Sequence, residues 1–122
     1  MKTKPRILFV DDHEDTRFLV ITWLGTLGYE VTATHSVREG LRLAKSESFD
    51  LYLLDSRLAD GDGKDLCEKL REVDKLTPIV FYAGDIRERV MADSDCETQG
   101  FVMKPEIENL PQIISNALHV AA

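Results

Sequence analysis

The segment Leu51-Tyr52-Leu53-Leu54-Asp55 runs four apolar residues directly into a carboxylate, and that junction decides the fold. A short, unbroken apolar run suits a strand covered on both faces, as in a parallel sheet, better than a half-exposed hairpin strand. Residues 7–10 (Ile-Leu-Phe-Val) and 79–82 (Ile-Val-Phe-Tyr) have the same character, and the first of them also ends in acids, Asp11-Asp12. Two further strands are predicted at 30–34 and 101–103.

Helix-period segments separate these strands. One spans about 15–27, with Val20, Trp23, Leu24 and Leu27 on one face and Gly28 as its left-handed terminator. The next opens on Ser36-Val37-Arg38-Glu39, a capping box in which hydroxyl and carboxylate satisfy free backbone N–H groups. Val37, Leu41 and Ala44 supply its buried stripe. A third helix at about 64–76 buries Leu66, Leu70 and Val73, a weaker fourth covers 85–99, and a last one starts at Leu110, capped by Asn109, and runs to about 120. Strict β-α alternation through the chain predicts one (βα)5 domain, doubly wound on a five-stranded parallel sheet.

Composition agrees. Of 122 residues, 43% are hydrophobic and 30% charged, the balance of a chain that buries a core. The length suits a single domain over residues 1–122 with no attached output domain. Fifteen Lys and Arg against 22 Asp and Glu give a net charge of −7, with no basic run, which argues against nucleic acid and anionic membranes as partners. No apolar stretch approaches the roughly 20 residues of a membrane span, and after residues 1–6 the apolar run Ile7–Val10 meets the acids Asp11-Asp12 well short of the roughly 7–15 apolar residues a signal peptide needs, so a cytoplasmic protein is expected. Cys67 and Cys96 lie far apart without metal-ligand spacing, and two reduced thiols are expected.

In an open parallel sheet, reactive groups gather beyond the carboxyl ends of the strands. Asp11 and Asp12 follow the first strand, Asp55 the third and Lys104 the fifth, so all four meet at one edge. Three carboxylates so close repel one another unless a hard cation such as Mg2+ bridges them. A lysine beside them is a point charge suited to a phosphoryl oxygen, and a cis bond before Pro105 would fix its loop. These ingredients suit phosphoryl transfer.

Val10-Asp11-Asp12, Leu53-Leu54-Asp55-Ser56-Arg57-Leu58, Asp62-Gly63 and Met103-Lys104-Pro105 together resemble the receiver domain of two-component response regulators, across essentially the whole chain. The resemblance implies a flavodoxin-like, CheY-like fold with strand order 2-1-3-4-5. It implies Asp55 as phosphoacceptor, taking its phosphoryl group from a sensor histidine kinase or a histidine phosphotransfer protein. It implies Mg2+ held by Asp11, Asp12, Asp55 and the backbone carbonyl of Arg57, with Lys104 on the phosphoryl oxygens. Such a domain signals through protein contacts and is no enzyme beyond its own phosphorylation and dephosphorylation.

One position departs from the family. Counting from Pro78, Ala83 stands where a Ser or Thr is usual, so a hydroxyl donor to the phosphoryl group is missing and only the backbone N–H of Gly84 remains. Phe101 occupies the aromatic switch position without a hydroxyl. A charge-assisted hydrogen bond contributes about 1.5–3 kcal/mol, comparable to the gap between two conformations of a small domain. A pseudo-receiver, a binding module with little phosphorylation-linked switching, is therefore the alternative. Arg57 and Asp85 flank the pocket and are expected to pair over it.

Blander readings are weaker. Asp60-Gly61-Asp62-Gly63 lacks the fifth-position acid and sixth-position glycine of a calcium loop and reads as a turn. A phosphatase of the haloacid dehalogenase type needs Asp-x-Asp after the first strand, where His13 occupies the second acid's place. His13 itself is expected to face solvent.

Overall fold

The computed structural model describes residues 4–121. The five long strands are β1 (Arg6–Val10), β2 (Glu30–Thr34), β3 (Leu51–Leu54), β6 (Ile79–Ala83) and β7 (Gly100–Met103). They form one parallel sheet in the order β2-β1-β3-β6-β7. Strands β4 (Arg57–Leu58) and β5 (Gly61–Asp62) make only a small antiparallel hairpin, so this is the expected 2-1-3-4-5 order.

The side-chain period of two in each central strand feeds two cores. Leu8, Val10, Tyr52, Leu54, Ile79 and Phe81 meet helices α2 (Val37–Ser46) and α3 (Gly63–Val73) on one face. Ile7, Phe9, Leu51, Leu53, Val80 and Tyr82 meet α1 (Glu14–Thr26) and α5 (Leu110–Ala121) on the other. Truncating any of the fully buried Leu or Ile residues costs about 2–5 kcal/mol.

The helices depart from expectation in detail. Val20 and Leu24 of α1 are buried, but Leu27 is exposed beyond the helix end, and Phe18 stands 72% exposed. Gly28 terminates the helix at a φ of 97° as expected. On α3 the helix stops at Val73, which is 51% exposed, and Cys67 takes the buried place instead. The predicted helix at 85–99 is only one turn, α4 (Arg87–Val90), followed by irregular chain. A short 3-10 turn, Ile107–Asn109, precedes α5, which begins at Leu110.

Half of the expected capping box forms. Ser36 Oγ accepts from Glu39 N at 3.1 Å, but the Glu39 carboxylate turns to Arg42 at 2.9 Å. The remaining free donors of α2, Val37 N and Arg38 N, reach Asp60 at 2.6 and 3.1 Å. Asp62 in turn caps α3 by accepting from Asp65 N at 2.8 Å. The hairpin expected as a mere turn thus holds the starts of two helices through its two aspartates, each worth about 1 kcal/mol as a cap.

The cysteines correct the reduced-thiol expectation. Cys67 and Cys96 are joined as a disulfide, with their Cα atoms 6.2 Å apart. Their spacing in sequence carries no information on this, because packing of the chain after α4 against α3 brings them together.

Candidate functional site

The site is held by backbone before any side chain acts. Asp11 N donates to Thr34 O at 3.0 Å, Asp55 N to Val10 O at 2.9 Å and Lys104 N to Ala83 O at 2.7 Å. Each residue just beyond its strand is therefore pinned by the neighbouring strand. Asp11 and Asp55 follow β1 and β3, the strands at which the order reverses, so a crevice opens between the two loops. The Lys104–Pro105 bond is cis, as expected.

The predicted residues converge. Lys104 Nζ lies 2.8 Å from Asp11 Oδ2 and 3.3 Å from Asp55 Oδ2, bridging the two buried carboxylates. Asp55 is only 3% exposed, and its Oδ1 accepts from Ser56 N at 2.7 Å. Asp12 projects outward, and His13, 67% exposed as to its side chain, brings Nδ1 to 2.9 Å from Asp12 and 3.4 Å from Asp11. One ligand atom from each of Asp11, Asp12, His13 and Asp55 falls within a mutual 4.8 Å.

Electrostatics at this edge follow from burial. Burial first, and the neighbouring Asp11 charge second, push the Asp55 carboxyl above the ordinary carboxylate range against the pull of Lys104 and Ser56 N. Burial also raises the Tyr82 phenol, assisted by Asp11, Glu108 and Asp55. Carboxylates that share one ammonium and still repel suit a hard, oxygen-seeking cation. The donor set of Asp11, Asp12 and Asp55 therefore fits Mg2+.

A cavity of about 420 Å3 opens above Asp55, lined by His13, Ser56, Arg57, Gly84, Asp85, Arg89 and Lys104. Ala83 is buried at the end of β6. Phe101 stacks on Phe81, with ring centres 5.9 Å apart. The expected Arg57–Asp85 pair is absent among the described residues: Asp85 Oδ1 faces Arg89 Nη1 at 3.5 Å. Asp85 lies in the bend just before α4 and Arg89 on its single turn, so this local pair forms with less ordering of long side chains than a bridge across the cavity, which explains the exchange of partner.

Three contributors escaped the sequence reading. Arg17 donates from Nη1 to the Asp11 carbonyl at 2.7 Å, and helical geometry, which tilts side chains back toward the N-terminus, places it there. Arg89 was findable from its i,i+4 spacing to Asp85. The Tyr82 ring lies 5.6 Å from Lys104 Nζ and helps seat the ammonium, a contact with no local sequence signal.

Fold and site define an α/β protein of the doubly wound, CheY-like class. The chain belongs to the response regulator receiver domain family, whose model matches residues 7–115. It is similar to the response regulator protein PilR of Pseudomonas aeruginosa, at 29% identity over 97% of this chain and 27% of that protein. It also resembles the uncharacterized transcriptional regulatory protein YkoG of Bacillus subtilis, at 34% identity over 94% of this chain and 51% of that protein. A CheY-like response regulator receiver domain protein of Methanospirillum hungatei superposes with a TM-score of 0.91 and 27% identity, covering 98% of this chain and 97% of that one. The chain thus spans about a quarter to a half of those two curated relatives. No helix among the described residues is long and apolar enough to cross a membrane.

Proposed function

We propose that this receiver accepts a phosphoryl group on Asp55 from a sensor histidine kinase or histidine phosphotransfer protein and passes its signal on through protein contacts. The observation that carries the reading is the Asp11–Lys104–Asp55 bridge: a buried carboxylate at the switch point, facing a cavity, with an ammonium 3.3 Å away. Asp55 attacks phosphorus as the nucleophile and the donor's leaving group departs in line. Lys104, poised between two carboxylates, swings onto a phosphoryl oxygen as charge moves onto Asp55. Gly84 offers a backbone N–H from the opposite wall.

Asp11, Asp12, Asp55 and the Arg57 carbonyl would hold Mg2+, with Asp11 acting partly through water. When bound, the ion neutralises charge on the phosphoryl oxygens. Asp11 keeps Lys104 oriented, and Arg17 fixes the Asp11 backbone.

A second reading is favoured by one observation. With Ala83 at the hydroxyl position and Phe101 stacked on Phe81, phosphorylation has few contacts through which to change shape. A binding module with little phosphorylation-linked switching is that alternative.

Acetyl phosphate with Mg2+, followed by intact mass, tests Asp55 as the acceptor. A gain of about 80 Da on the native chain and none on Asp55→Asn is expected. An unmodified native chain would overturn the phosphoacceptor reading and leave the binding module.

A further inference from the structure

Helix α3 turns one stripe toward the irregular chain after α4. Lys64 Nζ donates to the Ala92 carbonyl at 3.0 Å. Glu68 Oε2 accepts from Ser94 Oγ at 3.0 Å. Arg71 Nη2 donates to the Glu97 carbonyl at 3.1 Å and to Gln99 Oε1 at 3.2 Å. Cys67, between them, is joined to Cys96. Residues 64, 67, 68 and 71 recur at i, i+3, i+4 and i+7, one face of a helix, so four successive grips hold the stretch 91–99, which has no helix or strand of its own.

Three of these grips are polar contacts that exchange with water. The fourth is covalent. Its two sulfurs differ in access, for Cys67 is fully buried and Cys96 only half-buried. A small thiol or disulfide therefore meets Cys96 first, and Cys67 is positioned as the resolving partner.

We propose that Cys67 and Cys96 form a reversible thiol–disulfide latch whose oxidation state sets the mobility of residues 91–99. With glutathione disulfide as oxidant, the Cys96 thiolate attacks one glutathione sulfur and the first glutathione leaves as thiolate. The Cys67 thiolate then attacks the Cys96 sulfur of the mixed disulfide and releases the second glutathione. Two electrons pass from the protein to glutathione, and the two protons given up by the cysteines end on the two glutathione thiols. Reduction runs the same steps backward. The latch also bears on the Asp55 cavity, because its Asp85 and Arg89 wall belongs to the same connection; that part rests on the phosphoacceptor reading.

Hydrogen exchange on the full chain, without phosphodonor, tests the latch. Thiol titration is expected to fall from two thiols to none as glutathione disulfide replaces glutathione. Amides of 91–99 are expected to exchange about tenfold faster in the reduced protein than in the oxidised one, with β1 and β3 unchanged. Cys96→Ser should exchange as the reduced protein does and ignore reductant. Two thiols that persist in glutathione disulfide, or equal exchange in both forms, overturn the proposal. Acetyl phosphate labelling of both forms keeps the two readings apart: labelling of neither form removes Asp55 as acceptor and leaves the exchange result standing.

Discussion

Gly63 is the position where one methyl group separates a working site from a distorted one. A β-carbon there would overlap the backbone carbonyl oxygen of Asp55 and stand 2.7 Å from Cε1 of Phe81. Both neighbours are buried, and the Gly63 N–H is tied to Ser56 O at 2.9 Å, so the helix cannot retreat without losing that bond. Overpacking of this kind costs about 1–3 kcal/mol, and contact with main chain puts Gly63→Ala at about 3. Stiffening the unfolded chain returns roughly 0.5–1 kcal/mol, which leaves about 2. At roughly 4 °C per kcal/mol for a domain of this size, the variant should melt about 8 °C lower. Gly25→Ala is the control, because nothing lies within 4 Å of its added carbon and it sits in α1; it should melt about 2–4 °C higher. Melting followed by circular dichroism decides the matter. A Gly63→Ala midpoint within about 2 °C of the native protein would refute the close-approach argument.

Two further outcomes concern protons. Since Asp55 is held above the ordinary carboxylate value of 3.8, the folded state binds its proton more tightly than the unfolded chain does, and stability falls as pH rises through that window. Asp55→Asn should therefore melt above the native protein at about pH 7, with the difference shrinking toward about pH 3; a lower midpoint at neutral pH contradicts the sign. Asp74 is the opposite case. Burial alone would raise it, but hydrogen bonds from Thr77, Tyr52 and Leu76 outweigh burial and hold it at about 2, so its stabilisation is present above the ordinary value and lost as pH falls toward 2. Asp74→Ala should cost roughly 1–2 kcal/mol in urea unfolding at about pH 7, after allowance for its partial exposure, and little at about pH 2. Equal losses at both pH values would place the effect in packing instead.

The strands and their acids were readable because one physical fact governs both. A strand buried on two faces admits almost no polar residue, so Asp11 and Asp55 stand out where β1 and β3 end, whereas Lys104 follows the partly exposed edge strand β7 and stands out only because that short strand is apolar throughout. Helix faces were harder. Helix α1 is apolar nearly all round, with Phe18, Leu19 and Ile21 outward, and periodicity alone does not say which stripe a sheet will cover. Contacts between distant segments left no local trace: Asp60 on the α2 start, Arg71 on Gln99 and Cys67 on Cys96 each join elements more than twenty residues apart. The Arg57–Asp85 expectation failed for the related reason that a nearer cation, Arg89, was available to Asp85.

The β4–β5 hairpin also limits how this chain can be re-engineered. With Asp60 and Asp62 only two residues apart and each anchoring a different helix start, the tip has no slack. An inserted linker, epitope or fluorophore between Leu58 and Asp62 would uncap both at once, at a combined cost of about 2 kcal/mol. That loop is thus sensitive to its length despite its exposed tip, and circular permutation or domain grafting at this point would cost stability where surface appearance alone suggests no cost.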